Sequence, residues 1–138
     1  MKWVYSDGGR FAAGYKCHVG DYACRALSIA TGHSYRDVQS KLKKLDPINP
    51  RGRGGYRDYL RYCGWGWIPT EEVYFSAEEL PIGRLVVQIE KHIAAVIDGV
   101  LFDTFDSSRE GTILIEGYWV QPSSAESAER KRAFILKN

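Results

Sequence analysis

The segment that most limits how this chain can fold runs from Gly83 to Phe105, Gly-Arg-Leu-Val-Val-Gln-Ile-Glu-Lys-His-Ile-Ala-Ala-Val-Ile-Asp-Gly-Val-Leu-Phe-Asp-Thr-Phe. Two apolar, β-branched runs, Leu85 to Ile97 and Val100 to Phe105, flank Asp98-Gly99. A two-residue hairpin turn needs positive φ at both central residues, which Asp-Gly tolerates, so the segment predicts a β-hairpin. With Asp98 and Gly99 in the turn, Ile97 pairs with Val100, Ala94 lies opposite Asp103 and His92 opposite Phe105. Side chains alternate between faces, so His92, Ala94 and Val96 share a face with Leu101, Asp103 and Phe105. His92 and Asp103 are then diagonal neighbours, roughly 7–8 Å apart at the backbone, a gap that the two side chains can close. An imidazole held by a carboxylate is the base half of a nucleophile–His–acid constellation, in which the acid fixes the tautomer and stabilises the imidazolium. The same pair also occurs as a purely structural contact, and spacing alone favours that structural reading.

The 138 residues suit one domain with a sizeable core. A composition of 44% hydrophobic and 26% charged residues is that of a globular protein and excludes a disordered or fibrous chain. The net charge of +2 is too small to argue nucleic-acid or anionic-membrane binding from totals. The longest apolar runs fall far short of a bilayer span, and Met1-Lys2-Trp3 is not followed by a signal-peptide core. No membrane association is therefore expected, and the cytosol is the expected compartment. Cys17, Cys24 and Cys63 are odd in number and lack CxxC spacing, which fits reduced thiols better than a disulfide framework.

Ahead of the hairpin the pattern is helical. Residues 1 to 19 are broken by Ser6-Asp7-Gly8-Gly9 and Gly14, leaving room for a short strand near Trp3-Val4-Tyr5. From Gly20 to Gly32, Asp21 serves as an N-cap, Ala23, Ala26, Leu27 and Ala30 line one face, and Gly32 takes the C′ position. Ser34-Tyr35-Arg36-Asp37 is a capping-box pattern opening a second helix with apolar Tyr35, Val38, Leu42 and Leu45, stopped by Pro47. Asn49 to Gly55 reads as a loop, Tyr56 to about Cys63 as a third helix, and Trp65 to Thr70 as an extended aromatic link. Ser76 to Glu79 begins a helical turn, Thr112 to Val120 is a third strand, and Ala125 to Lys137 a charged helix. Helices first and antiparallel strands later give an α+β domain over residues 1–122 with a C-terminal helical tail over 123–138.

Three ordered motifs carry a family resemblance. Asp21-x-x-x-Arg25-Ala26-Leu27-x-Ile29-Ala30-Thr31-Gly32-x-x-Tyr35, Gly64-Trp65-x-Trp67-x-Pro69-Thr70, and Gly83-Arg84 leading to His92-x-x-Ala95-Val96-Ile97-Asp98-Gly99 and Asp103-Thr104 together resemble small, mostly phage-encoded proteins of the papain-like cysteine-peptidase superfamily. The resemblance implies a papain-like fold, N-terminal helices packed on a C-terminal antiparallel sheet, with His92 as general base and Asp103 as its orienting partner. In that pattern the nucleophile directly follows the Asp, as Asp-Cys at the helix start; here Tyr22 stands in that slot and Cys24 lies two residues on. A helix turns about 100° per residue, so positions 22 and 24 point about 200° apart and cannot serve one His without a register change.

Two rearrangements would supply a thiol. A helix starting two residues later would put Cys24 at its N-terminus, where the dipole lowers a thiol pKa. Cys24-Arg-Ala-Leu-Ser would then resemble the Cys-Trp-Ala-Phe-Ser start of the papain helix, with His18 near the place of an oxyanion-hole side chain. Alternatively Cys17 could swing in from its loop. Against both stands the ordinary fate of a cysteine in an apolar helix, as a small buried hydrophobe, and that is the favoured reading of Cys24 and of Cys63.

Other constellations are weaker. Cys17, His18, Cys24 and His92 match no zinc spacing, so no metal is expected. The Gly-rich run near Arg51 lacks the Gly-Lys-Ser/Thr ending of a phosphate loop, and no cofactor is expected. Arg51, Arg53, Arg57 and Arg61 interleave with Tyr56, Tyr59 and Tyr62 as a base-stacking, phosphate-tracking surface would, but a loop followed by a helix whose arginines face water while Tyr and Leu pack inward is the favoured reading of the run. Trp65 and Trp67 alternate, so one faces the core and the other is free to line a cleft or a partner surface. The leading expectation is therefore an inactive peptidase-like protein that binds a virion or host protein as a phage structural, assembly or host-factor-binding component. The alternative is a thiol hydrolase of peptide or amide bonds using Cys24, His92 and Asp103. A nucleic-acid binder is the weaker third.

Overall fold

The computed structural model describes residues 1–15, 21–48 and 53–122. Cys17, His18, Arg51 and the tail 123–138, with the helix expected there, lie outside the described residues. Along the chain the elements are β1 (Trp3–Tyr5), α1 (Tyr22–Thr31), α2 (Tyr35–Leu45), α3 (Arg53–Tyr62), β2 (Gly66–Pro69), β3 (Arg84–Ile89), β4 (His92–Ile97), β5 (Val100–Asp103) and β6 (Gly117–Val120). Three helices and one six-stranded mixed sheet, in the order β1-β5-β4-β3-β6-β2, make an α+β unit.

The Asp98-Gly99 turn forms as the sequence predicts, with φ of 49° and 77° at its two residues, and Ile97, Val96 and Ala95 face Val100, Leu101 and Phe102. The apolar run ahead of it is not one strand. It divides into β3 and β4 at Glu90-Lys91, where Lys91 adopts φ 58°. Two adjacent charges in a strand buried on both faces would bring one of them into a core, so the chain turns there and the hairpin becomes a three-stranded meander.

The sheet also departs from the expected antiparallel one. β1 joins its edge parallel to β5, Trp3 beside Leu101 and Tyr5 beside Asp103, and β6 pairs with β3 and β2 instead of continuing past β5. The aromatic link is thus a strand. Only Gly117–Val120 of the expected Thr112–Val120 strand is regular; Leu114 makes an isolated bridge to Tyr74.

Both faces of the sheet are covered. On one, Val86, Ile93, Ala95 and Trp119 pack against Leu27, Val38, Tyr56 and Leu60 of the helices. On the other, Leu85, Val87, Val96 and Leu101 pack against Phe75, Leu80 and Ile115 from the connections beside β2, β3 and β6. Completely buried side chains such as Leu27, Leu60 and Leu101 each contribute about 1.5–3 kcal/mol through loss of apolar surface to water.

The helices obey their local signals in part. Ser34 caps α2 by accepting from the Asp37 N–H at 3.1 Å, and Gly32 ends α1 in the left-handed region at φ 79°. α3 starts at Arg53, three residues before the expected Tyr56, and runs through Gly55, which is buried against Leu42 and Asp46 at the α2 side. α1 starts at Tyr22, with no shift to Cys24, and Asp21 precedes it without capping it by its side chain. No helix among the described residues is long and apolar enough to cross a membrane.

Candidate functional site

β4 begins at His92 and the antiparallel β5 ends at Asp103, so both stand at the same end of the sheet. The diagonal contact implied by the turn is made: His92 Nε2 lies 2.7 Å from Asp103 Oδ2. The other Asp103 oxygen accepts from the Thr104 N–H at 2.7 Å, and Ser107 Oγ donates to Oδ2 at 2.9 Å. Burial by itself would push this carboxyl up; the hydrogen bonds from His92, Ser107 and Thr104 outweigh it and hold the group below its usual range. An ionised Asp103 only accepts, so the proton of a neutral His92 sits on Nε2 and Nδ1 keeps the lone pair. That is the tautomer a general base requires.

The start of α1 meets this pair. The Tyr22 ring lies against the imidazole with centroids 5.2 Å apart and planes at 50°, and the Phe105 ring does the same at 5.2 Å and 47°. His92 is thus flanked by two aromatic rings, with a carboxylate on its edge. Tyr22, the first residue of α1, is half-buried.

Beneath Tyr22 a buried charge network ties helix to sheet. Arg25, 8% exposed, hydrogen-bonds Asp21 through Nη1 and reaches Asp103 Oδ1 through Nη2 at 3.4 Å. Asp21 also accepts from Arg10 Nη1 at 3.1 and 3.2 Å and from the Tyr35 hydroxyl at 2.8 Å. That is why its carboxylate does not cap α1: three stronger, side-chain donors claim it. Gly8 lets the N-terminal loop lie directly on this helix, since a Cβ there would come within 2.9 Å of the Arg25 Cα.

The two described cysteines stand elsewhere. Cys24 is 5% exposed, belongs to the helix-side core, and its Sγ donates to the Tyr35 carbonyl at 3.5 Å. Burial, reinforced by the Asp21 charge, pushes its thiol up to about 12, so at pH 7 it is almost wholly protonated. Cys63 is half-buried at the end of α3 beside Lys41, and burial raises its pKa as well.

The remaining candidates divide between core and surface. Trp65 is buried, while the half-buried Trp67 packs on Trp119 at 5.4 Å. Arg57 and Arg61 lie over the Trp67 and Trp119 rings at 6.0 and 5.7 Å, and Arg57 also donates to Gln88 Oε1 at 3.0 Å. Of the expected phosphate-tracking run, Arg57 is therefore engaged by Gln88 within the fold, whereas Arg61 is 63% exposed and pairs with Asp58 at 3.5 Å on the surface. Arg53 opens α3, away from the dyad in sequence. Among the described residues no group of three or more His, Cys, Asp or Glu could hold a metal ion.

Several site residues had no role in the sequence reading. Arg25 is four residues from Asp21, the spacing of a helical ion pair, and that signal was legible. Ser107, Glu90 and Arg109 sit in turns beyond or between strands and carry no periodic signal, whereas the alternation of the hairpin already puts Phe105 on the His92 face. Together with Phe105 and His92 they line an open cleft of about 480 Å³. Comparison with protein-family models, with curated proteins and with solved structures returns no match to this chain.

Proposed function

We propose that this chain is a papain-like, cysteine-peptidase-related domain that works by binding a protein and not by thiol catalysis, as a phage structural, assembly or host-factor-binding component. The order of parts supports the kinship: the first residue of an early helix abuts a His and an Asp delivered by a later hairpin. The observation that carries the reading is the Tyr22 ring at 5.2 Å from His92, at the helix start where a thiol nucleophile would be needed. A phenol titrates near pH 10 and is a poor nucleophile at neutral pH, whereas a thiol beside an imidazole is an effective one. Cys24, two positions along the helix, faces the core instead.

One observation favours the thiol-hydrolase alternative, the complete His92–Asp103 pair. Iodoacetamide alkylation of the native protein at mildly acidic pH, mapped residue by residue, decides between the two. The expected result is an unmodified Cys24, and a Tyr22→Cys variant alkylated rapidly at position 22 with that reactivity lost on His92→Ala. Stoichiometric, His92-dependent alkylation of a natural cysteine would overturn the binding reading and restore the hydrolase.

A further inference from the structure

The cleft beside His92 has a composition that the dyad does not explain. Its apolar wall is Phe105, Ile113 and Leu114, and two of these large side chains are half exposed, Phe105 at 50% and Leu114 at 51%. Its polar rim carries one charge of each sign, Glu90 and Arg109. Both are exposed, and neither side chain has an ion-pair partner among the described residues. A volume of about 480 Å³ lies within the ordinary range of ligand sites, roughly 300–1,000 Å³.

The loop that brings Arg109 to the rim is held in a costly shape. Arg109 and Glu110 adopt φ of 47° and 60°, followed by Gly111 at 77°. Asp106 fixes the turn, accepting from Ser108 N–H at 3.1 Å, Ser108 Oγ at 2.6 Å and Glu110 N–H at 3.0 Å. Consecutive non-glycine residues in the left-handed region persist only where surrounding contacts over-determine them, and such segments cluster at binding and catalytic sites. The opposite rim is built alike, since Glu90 precedes Lys91 at φ 58° in the tight β3–β4 turn.

We propose that this cleft takes an extended peptide segment of a protein partner, with an apolar side chain against Phe105, Ile113 and Leu114, an acidic side chain at Arg109 and a basic one at Glu90. The inference rests on the binding reading above and names the partner's chemistry. Charge complementarity chooses the occupant. A lipid surface or nucleic acid would leave Glu90 facing like charge, and a purely apolar ligand would use neither of the exposed rim charges. A peptide with a charge of each sign around an apolar residue satisfies all three features.

The test uses the full, isotope-labelled chain titrated with acetyl-Lys-Leu-Leu-Glu-amide and with acetyl-Glu-Leu-Leu-Lys-amide, followed by amide chemical shifts. At least one peptide is expected to move the signals of His92, Phe105, Arg109 and Leu114. Arg109→Gln should weaken it about tenfold, the loss of one charge-assisted hydrogen bond. Changing the peptide's Glu to Gln should cost the same, with no further loss in Arg109→Gln, and the exposed Leu114→Asp should abolish binding. Shifts confined to another surface, no shift with either peptide at millimolar concentration, or an Arg109→Gln variant binding unchanged would each overturn the proposal. The two readings fail separately: a peptide bound in the cleft but cleaved condemns the inactive assignment and keeps the cleft, whereas a silent cleft with Cys24 unreactive condemns only the cleft.

Discussion

Two imidazoles among the described residues sit in hydrogen-bonded positions, and the contrast between them shows how differently the fold equips the same side chain. His92, at the end of the sheet, pairs with a buried carboxylate that is itself held by Ser107, Thr104 and Arg25. His33, between α1 and α2, places Nδ1 2.6 Å from the Tyr59 hydroxyl, in a cavity of about 320 Å³ shared with Asp37, Lys41, Tyr62 and Cys63. The first site has a base with its orienting acid and a phenol for a neighbour. The second has a thiol, a cation and the exposed carboxylate of Asp37, but its imidazole is hydrogen-bonded to a neutral phenol and not to a buried carboxylate. A half-buried thiol and a carboxylate-held imidazole thus belong to different sites. Wiring, more than inventory, sets the chemistry.

The sharpest way to break this contrast is to remove the acid. Asp103→Ala leaves Arg25 buried with Asp21 alone and strips His92, Ser107 and the Thr104 N–H of their acceptor. Breaking a buried, hydrogen-bonded ion pair from one side costs about 3–5 kcal/mol, and urea unfolding should register a loss of that size. A loss below about 1 kcal/mol, the worth of an ordinary hydrogen bond, would mean that the carboxylate network is not what joins α1 to the sheet.

Acid should produce a smaller effect of the same origin. Because the Asp103 carboxyl is held below its usual range in the fold, its contribution is fully present above the unfolded-state value of about 3.9 and is lost as pH falls through the folded value. The denaturation midpoint should therefore hold from neutral pH down to about pH 4 as far as Asp103 is concerned and drop on further acidification, and the gap between the natural protein and Asp103→Asn should narrow over that lower interval. A gap that stays constant would show that the carboxyl titrates alike in both states. The His33 site contains no comparably buried acid, so a change there should leave the acid limb unaltered.

The parts of the fold and site that could be read in advance were those whose cause is local. Asp98-Gly99 specifies its turn by φ alone, and period-two alternation then carries His92 and Asp103 to one face. Ser34 and Asp37 specify a cap within four residues, and the 100° helical turn separates Tyr22 from Cys24. What escaped depends on partners distant in sequence. The sequence predicts the short strand at Trp3-Val4-Tyr5, but not its parallel place against β5. The Asp21 carboxylate forsakes its cap because Arg10 and Tyr35 arrive from elsewhere. The division at Glu90-Lys91 was visible as two charges in an apolar run, yet β-branched content outweighed it. Arg109 and Glu90 carry no pattern, and only the folded turns bring them to one cleft.

The smallest expected effect completes the contrast at the second imidazole. Tyr59→Phe deletes the hydroxyl paired with His33 Nδ1 and leaves the ring, itself 5% exposed, in its place in the helix-side core. His33 is exposed and water can replace the lost partner, so the cost should be about 1 kcal/mol or less, the net worth of a neutral hydrogen bond. Burial is the main reason the Tyr59 phenol is pushed up to about 12, so the group stays protonated throughout the acid and neutral range and its removal should shift stability equally at every pH there. Urea midpoints displaced by a constant amount from mildly acidic to neutral pH would match this expectation. A displacement that varies with pH over that range would instead reveal a charge-sensitive contact, and the two imidazole sites would then differ in degree and not in kind.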